Sequence, residues 1–310
     1  MAKHASPFTT IRTEGALLPT DLLQRISEGK LDGLSNESYH RPEKLNEAIN
    51  RSWNTLQGAW ATFKSAQDRL STTDHGTTLT RERWLLTLFR ELDYGRLQTA
   101  THKIDERTFS ISHSWGQVPI QLVSFKDDLD KRRPYKGGNA PSPHSEMQVF
   151  LNLSDDHLWG FVSNGYKLRI LRDNASLTRQ AYLEFDLQTM MDGEFYSDFA
   201  LLWLVCHQSR VEATPPSACW LERWMKHAED QGTRALDQLR GGVEKAIEAL
   251  GLGFVEHPAN APLRDDLTSG TLHPQDYYRQ LLRMVYRLLF LFVAEDRQLL
   301  LNPHADPHPP

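Results

Sequence analysis

Between Phe125 and Pro143 the chain sets Lys126, Lys131, Arg132, Arg133 and Lys136 among Asp127, Asp128 and Asp130. Cations in such a loop can meet nucleic-acid phosphates, and the carboxylates could hold a divalent ion if the loop folded back on itself. The plainer alternative is a solvated loop, because charges of both signs alternate along it. A second set, Arg279, Arg283 and Arg287, recurs every fourth residue and so shares one face of a helix. That face is either solvated and salt-bridged or turned toward DNA phosphates or a partner. Among the 13 histidines, His102, His113, His144 and His157 lack the spacing of a zinc or hydrolase site. No metal site is expected.

Composition narrows the classes. Against 40 Asp and Glu stand 35 Lys and Arg, a net charge of −5, so no global basic field draws the chain to nucleic acid and local patches must do so. Cys206 and Cys219 lie beside apolar residues and read as buried reduced thiols rather than a disulfide. The most apolar run, Leu288 to Ala294, is too short to span a bilayer and is bounded by Arg287 and Glu295. The expectation is a cytoplasmic protein without a membrane partner.

The elements that must position these charges follow from pattern. Trp159, Phe161 and Val162, then Asn164-Gly165, then Tyr166, Leu168, Ile170 and Leu171 read as a hairpin, with Asn-Gly supplying positive φ at a tight turn and one face wetter than the other. Val118 to Phe125 is apolar enough for an interior strand, paired through Trp115-Gly116 with a strand near Phe109 and Ile111. Ser145 to Phe150 reads as part of a short helix, and Leu183, Phe185 and Leu187 as an extended piece. Pro42 opens a helix bearing Leu45, Ile49, Trp53, Leu56, Trp60 and Phe63 on one face, a core stripe rather than a base-stacking one. Thr80 is placed to cap a second helix through Leu92. Met1 to Thr13 reads as a loose arm that Phe8 and Ile11 could tie down. After a segment carrying Phe199, Leu202, Trp203, Val205 and Cys206, Trp220 to Leu250 is a helix bent at Gly241-Gly242 and stopped by Gly251 and Gly253. Pro258 to Pro262 reads as a linker, and Asp276 to Leu300 as the longest uninterrupted helix. The long helices are expected to bury their apolar faces on each other or on the sheet.

Two stretches, HLWGFVSNGYKLRILRDN from His157 to Asn174 and YYRQLLRMVYRLLFLFVAEDRQLL from Tyr277 to Leu300, carry a resemblance, with ALLPTDLLQRI from Ala16 ahead of them. In that order they resemble the region preceding the catalytic domain in large bacterial restriction-modification methylases of the type IIG kind, including the adenine methylases of the anti-phage DISARM systems. The resemblance runs from about Leu17 onward. It implies that a methyltransferase domain binding S-adenosylmethionine, with an Asn-Pro-Pro-Tyr motif, lies beyond this chain. Here Asn302-Pro303-His304 does not match that motif, and no glycine-rich cofactor loop occurs, so no cofactor is expected in this chain.

The middle also resembles the amino-terminal nuclease-like domains of restriction enzymes in its order of helix, strands, helix and hairpin. Active versions carry an Asp on one strand and Glu-x-Lys on the next, which hold Mg²⁺ and orient water. The matching positions are His113 on the first strand, Gln121 on the second and Gln148 on the helix, so the resemblance implies a degenerate, inactive core. The expected fold is α+β, a mixed sheet flanked by helices with a helical carboxyl-terminal part. Its expected divisions are an arm and helix over 1–79, the nuclease-like core over 80–190, a helical region over 191–301 and a tail or linker over 302–310. The function so implied is a non-catalytic accessory domain that assists DNA engagement or docks on the methyltransferase domain and other defence proteins. Lys126, Lys131, Arg132, Arg133, Lys136, Arg279, Arg283 and Arg287 are the DNA-contacting candidates. A scaffold without DNA affinity and an active metal-dependent nuclease are the alternatives.

Overall fold

The computed structural model describes residues 7–15, 17–135, 138–173, 180–296 and 299–300. The chain divides into two compact units, 1–228 and 229–310.

In the first unit the elements are β1 (Ile11–Glu14), α1 (Thr20–Ser27), α2 (Leu45–Gln67), α3 (Thr77–Thr80), a π turn (Arg81–Leu85), α4 (Leu86–Glu91), β2 (Gln98–Thr99), β3 (His102–Ile104), β4 (Arg107–Phe109), β5 (His113–Trp115) and β6 (Val118–Leu122). There follow β7 (Arg133–Tyr135), β8 (Gly138–Ala140), α5 (Pro143–Leu153), β9 (Trp159–Ser163), β10 (Lys167–Arg172), β11 (Tyr182–Asp186), α6 (Leu187–Asp192) and α7 (Tyr196–Cys206). The main sheet has the order β1-β11-β10-β9-β6-β5-β2. Every described pairing in it is antiparallel except β6 with β9. That parallel pair needs a crossover, and α5 provides it, started by Ser142, whose side chain accepts from the Ser145 amide. The expected mixed sheet flanked by helices is therefore present, with Val118 to Leu122 as an interior strand.

Pleating sorts the strand residues between two cores. Ile120, Leu122, Phe161, Leu168, Ile170, Leu183 and Phe185 join the larger, which also takes Ile49, Leu56, Trp60 and Phe63 of α2 and most of α7. Val162 and Leu171 turn the other way, onto Met147, Phe150 and Leu151 of α5. Both faces are thus covered, which corrects the expectation of a wetter hairpin face: β9 is buried at every position. The larger core runs from Ile11 to Trp224, drawing on the expected arm, nuclease-like core and helical region alike. The described part of the arm, from residue 7, is tied down, because β1 pairs with β11 and the Thr10 amide donates to Asp198 Oδ2 at 2.8 Å; residues 1–6 lie outside the described residues. Trp60 is a core residue, 4% exposed, its Nε1 donating to Asp192 Oδ1 at 2.7 Å.

Several local details differ from the sequence expectations. Thr80 is not a cap; the helical run begins after Gly76, and Thr80 Oγ1 donates to the Gly76 carbonyl and accepts from Phe125 N. At the hairpin only Gly165 has a positive φ, +87°, while Asn164 Oδ1 accepts from the amides of Tyr166 and Lys167, an Asx turn. Cys206 and Cys219 are buried and unpaired.

Helix α8 (Trp220–Glu256) continues through both pairs of glycines that were expected to bend and stop it. The second unit contains its later turns, α9 (Ala261–Ser269) and α10 (Pro274–Asp296), shorter than α8 rather than the longest helix; the expected linker Pro258 to Pro262 is a 3-10 turn, Pro258–Asn260, and the first two residues of α9. The reason for one glycine is close approach: Tyr277 Oη donates to the Gly251 carbonyl at 2.8 Å, and a Cβ there would stand 3.1 Å from Leu281 Cδ1. The seam buries Ile247, Leu281 and Val285, while Tyr286 and Phe290 stay 71% and 68% exposed. The apolar face of α10 is therefore only partly buried within its unit, contrary to expectation. Among the described residues no helix is long and apolar enough to cross a membrane.

Gly165→Ala tests the hairpin. Its φ is left-handed and a Cβ would meet Thr80 Cγ2 at 2.7 Å, so the variant should lose about 2 kcal/mol or more by denaturant titration.

Candidate functional site

Strand β6 has one polar side chain, and the pleat turns it away from the aromatic core toward α5. Gln121 is fully buried and donates from Nε2 to Glu146 Oε2 at 3.1 Å. Glu146 is itself 4% exposed, since its helix lies across the sheet. Its other oxygen accepts from the Ser110 amide at 2.7 Å, and Arg133 Nη2 reaches Oε2 at 3.0 Å. A buried carboxylate is thus satisfied by an amide, a carboxamide and a guanidinium, which is how such a charge is tolerated in a dry layer. Gln121 Oε1 has no partner among the described residues.

Above this cluster lies an open cleft of about 400 Å³ lined by His75, Thr77, Arg81, Ser110, Asp127 and Arg133, with Val123 and Ala140. Arg81 stands at the start of the π turn and is held by Nε donating to the Leu122 carbonyl at 2.8 Å. Burial, and then the charge of Arg133, hold its guanidinium below the ordinary value, with Asp127 opposing. Asp127 is committed: Oδ1 lies 3.0 Å from His75 Nε2, and Oδ2 accepts from the Ser124 amide at 3.1 Å.

The resemblance-derived positions are divided by the pleat. His113 sits opposite Ile120 and so shares the aromatic face, whereas Gln121 faces α5. Gln148 also turns away, donating to the Arg172 carbonyl at 3.0 Å and to Asn152 at 2.8 Å. Two residues along a helix is about 200° of rotation, so Glu146 occupies the side that Gln148 was expected to occupy. Glu146, Arg81 and His75 were missed by the sequence reading. The legible signal was the single acidic residue of α5.

The charged loop is mostly spoken for. Lys126 Nζ donates to the Asp74 carbonyl at 2.6 Å, Lys131 pairs with Asp128 at 3.0 Å, and Arg133 holds Glu146. Arg132 is exposed, and Lys136 lies outside the described residues. In the second unit Arg279 pairs with Asp276 at 2.9 Å, and Arg283 and Arg287 are exposed. The three aspartates do not converge on a cation, for Asp130 forms a bidentate pair with Arg169 at 2.6 and 2.7 Å. Arg169 also donates to Glu184 at 2.6 Å. Burial alone would lower the Arg169 pKa, but these carboxylates raise it, while Arg169 holds Asp130 below the usual carboxylate range. Among the described residues no group of three or more His, Cys, Asp or Glu could hold a metal ion.

One arrangement imitates a hydrolase. His207 stands 3.1 Å from Asp93 Oδ2 and 2.9 Å from Ser209 Oγ. The imitation fails chemically, because Ser209 Oγ accepts from Arg210 Nε and Nη2, His207 Nδ1 accepts from the Ser209 amide, and both residues are buried. A nucleophile needs a free lone pair aimed at substrate. This group is a turn lock.

Comparison with family models, with curated proteins and with solved structures gives no match to this chain. The fold and the cleft define a mixed α/β protein with two arginines over a neutralised internal carboxylate.

Replacing Glu146 with Ala should cost about 1–3 kcal/mol, because the Ser110 amide and Gln121 lose their acceptor while Arg133 can swing to water. Acid should destabilise the fold for a separate reason. His144 is pushed down to about 4 by burial and then by Arg169, and His113 to about 4 by burial and then by Arg81. An unfolded imidazole protonates near 6.5, so the unfolded chain binds protons first as the pH falls. Stability is full above about 6.5, is lost on going down to about 4, and then levels. Thermal melts across that window should show the fall, and His144→Asn should flatten it by on the order of 1–3 kcal/mol.

Proposed function

We propose that this chain is a non-catalytic amino-terminal accessory domain of a DNA adenine methyltransferase in a phage-defence restriction-modification system, one that assists engagement of duplex DNA. The family part of this reading rests on the segments beginning at Ala16, His157 and Tyr277. The structural part rests on one observation. Where a nuclease-like core would gather carboxylates around a cation, this chain has Glu146 closed off by Arg133, Gln121 and the Ser110 amide.

The succession of β5, β6, α5 and the parallel β9 supports a nuclease-like core, since a helix crossing between parallel strands is the part that follows the metal-binding strands in active versions. An arginine on a single carboxylate neutralises it but supplies neither the Lewis acidity of a divalent ion nor a site for an activated water. The core keeps a surface that can face a phosphate backbone and loses the chemistry. Arg81 joins Arg133 on that surface, and exposed Arg132, Arg283 and Arg287 remain available for the weaker contacts of duplex binding. S-adenosylmethionine belongs to the catalytic domain that the resemblance places elsewhere.

A specific observation favours the scaffold reading as a second function. Tyr286 and Phe290 on α10 are 71% and 68% exposed beside Arg283 and Arg287. An apolar face of this kind suits docking on the methyltransferase domain.

Two measurements check the proposal. Incubated with duplex DNA, Mg²⁺ or Mn²⁺ and radiolabelled S-adenosylmethionine, the chain should neither cut nor methylate; either product sinks the non-catalytic reading. Gel-shift titration at two salt concentrations should show duplex binding that weakens linearly in log salt, and no shift at low salt would remove the DNA role and leave the scaffold.

A further inference from the structure

We propose that Arg81 and Arg133 form a seat for one phosphate group, in the cleft they share with Thr77, Ser110 and His75. The seat stands on geometry, and only the identification of its natural source as the backbone of duplex DNA rests on the proposed accessory function.

The two guanidiniums come from separate elements, Arg81 from the start of the π turn and Arg133 from the start of β7, and both line the cleft. Arg81 is anchored through Nε on the Leu122 carbonyl, which leaves both terminal nitrogens without a partner among the described residues. Arg133 spends Nη2 on Glu146, and its Nε is buried without a partner. Among the described residues the one carboxylate lining the cleft is Asp127, and its two oxygens are taken by His75 and the Ser124 amide. Two half-buried cations facing one space repel each other, and an anion between them reverses the sign of that term. Arg81 is also lowered by burial and by Arg133, as such an arrangement requires.

Phosphate fits better than carboxylate. The free terminal nitrogens of Arg81 can saturate the two oxygens of a carboxylate, whereas a tetrahedral phosphate keeps further oxygens for a second donor such as Arg133. Thr77 and Ser110 add hydroxyls on the same lining. The cleft, at about 400 Å³ and open to solvent, has room for a phosphate that continues into a chain as well as for a free one.

The test uses the full chain. Inorganic phosphate is titrated by calorimetry, and a labelled duplex by fluorescence anisotropy at several salt concentrations, for the unaltered chain, Arg81→Gln and Arg81→Lys, with Arg12→Gln, exposed on the edge strand β1 four strands away from β6, as a remote control. Saturable phosphate binding is expected, weakened at least about 10-fold in Arg81→Gln and less in Arg81→Lys, with the duplex salt dependence of Arg81→Gln reduced by about one phosphate contact. Matching melting temperatures establish that the variants fold. Should Arg81→Gln not fold, movement of the Arg81 Nε–H resonance on adding phosphate to the unaltered chain replaces that arm, and a resonance that stays put overturns the seat. Phosphate binding with no duplex binding at low salt keeps the seat, with free phosphate as its source, and fails the DNA reading. Duplex binding indifferent to Arg81, without phosphate binding, overturns the seat and leaves the DNA reading standing.

Discussion

The parallel pairing of β6 with β9 constrains everything around it. Parallel neighbours cannot be joined by a tight turn, so the chain must leave the sheet and return across one face. The segment that does so, α5, seals a face that an antiparallel meander could have left wet, while α2, α4 and α7 pack on the other. With both faces dry, any charge within the layers has to be satisfied, by neutral partners for Arg210 and Asp198 and by opposite charges on the α5 side. Arg169 between Asp130 and Glu184, and Glu146 beneath Arg133, are those pairings.

These pairs divide the labour between the faces. The α2 side is aromatic and aliphatic, with Trp60, Phe63 and Trp84 packed against one another around the hairpin. The α5 side carries the paired ions Arg169 and Glu146, and its edge opens into the arginine-lined cleft. Keeping a buried ion pair where apolar residues would pack equally well contributes little stability on its own. In this chain Arg133 contributes to two things at once, closing the internal carboxylate and lining a cleft whose remaining acid is already paired.

The second unit follows another logic. Its helices meet along a narrow seam made possible by Gly251, where Tyr277 reaches the backbone and Leu281 comes close. The seam consumes only Leu281 and Val285 as buried residues of α10. The remainder of that helix presents apolar and basic residues side by side. A surface of this composition is what a docking element offers a partner.

Much of the architecture was legible in the residues. Apolar continuity over Val118 to Leu122 marked an interior strand, Asn164-Gly165 marked the hairpin, and the spacing of Ile49, Leu56, Trp60 and Phe63 marked a core helix. Local pattern reports such elements because strand and helix periods act over a few residues. The site was less legible. The loop charges could be seen, but not that Arg133 turns inward while Asp127, Asp128 and Asp130 go to three different partners. His113 and Gln121 were correctly placed on neighbouring strands, yet whether they share a face depends on register, which only the pairing of His113 with Ile120 decides. Glu146 and Gln148 differ by two positions in sequence and by about half a turn in space, and only the packing of α5 across the sheet selects Glu146. The sequence by itself determined the interior strand, the hairpin and the core helix, but not β1, α9 or the continuity of α8; the tertiary structure decided which charges meet, because those contacts join residues far apart in the chain whose sides are set by strand register and helix rotation.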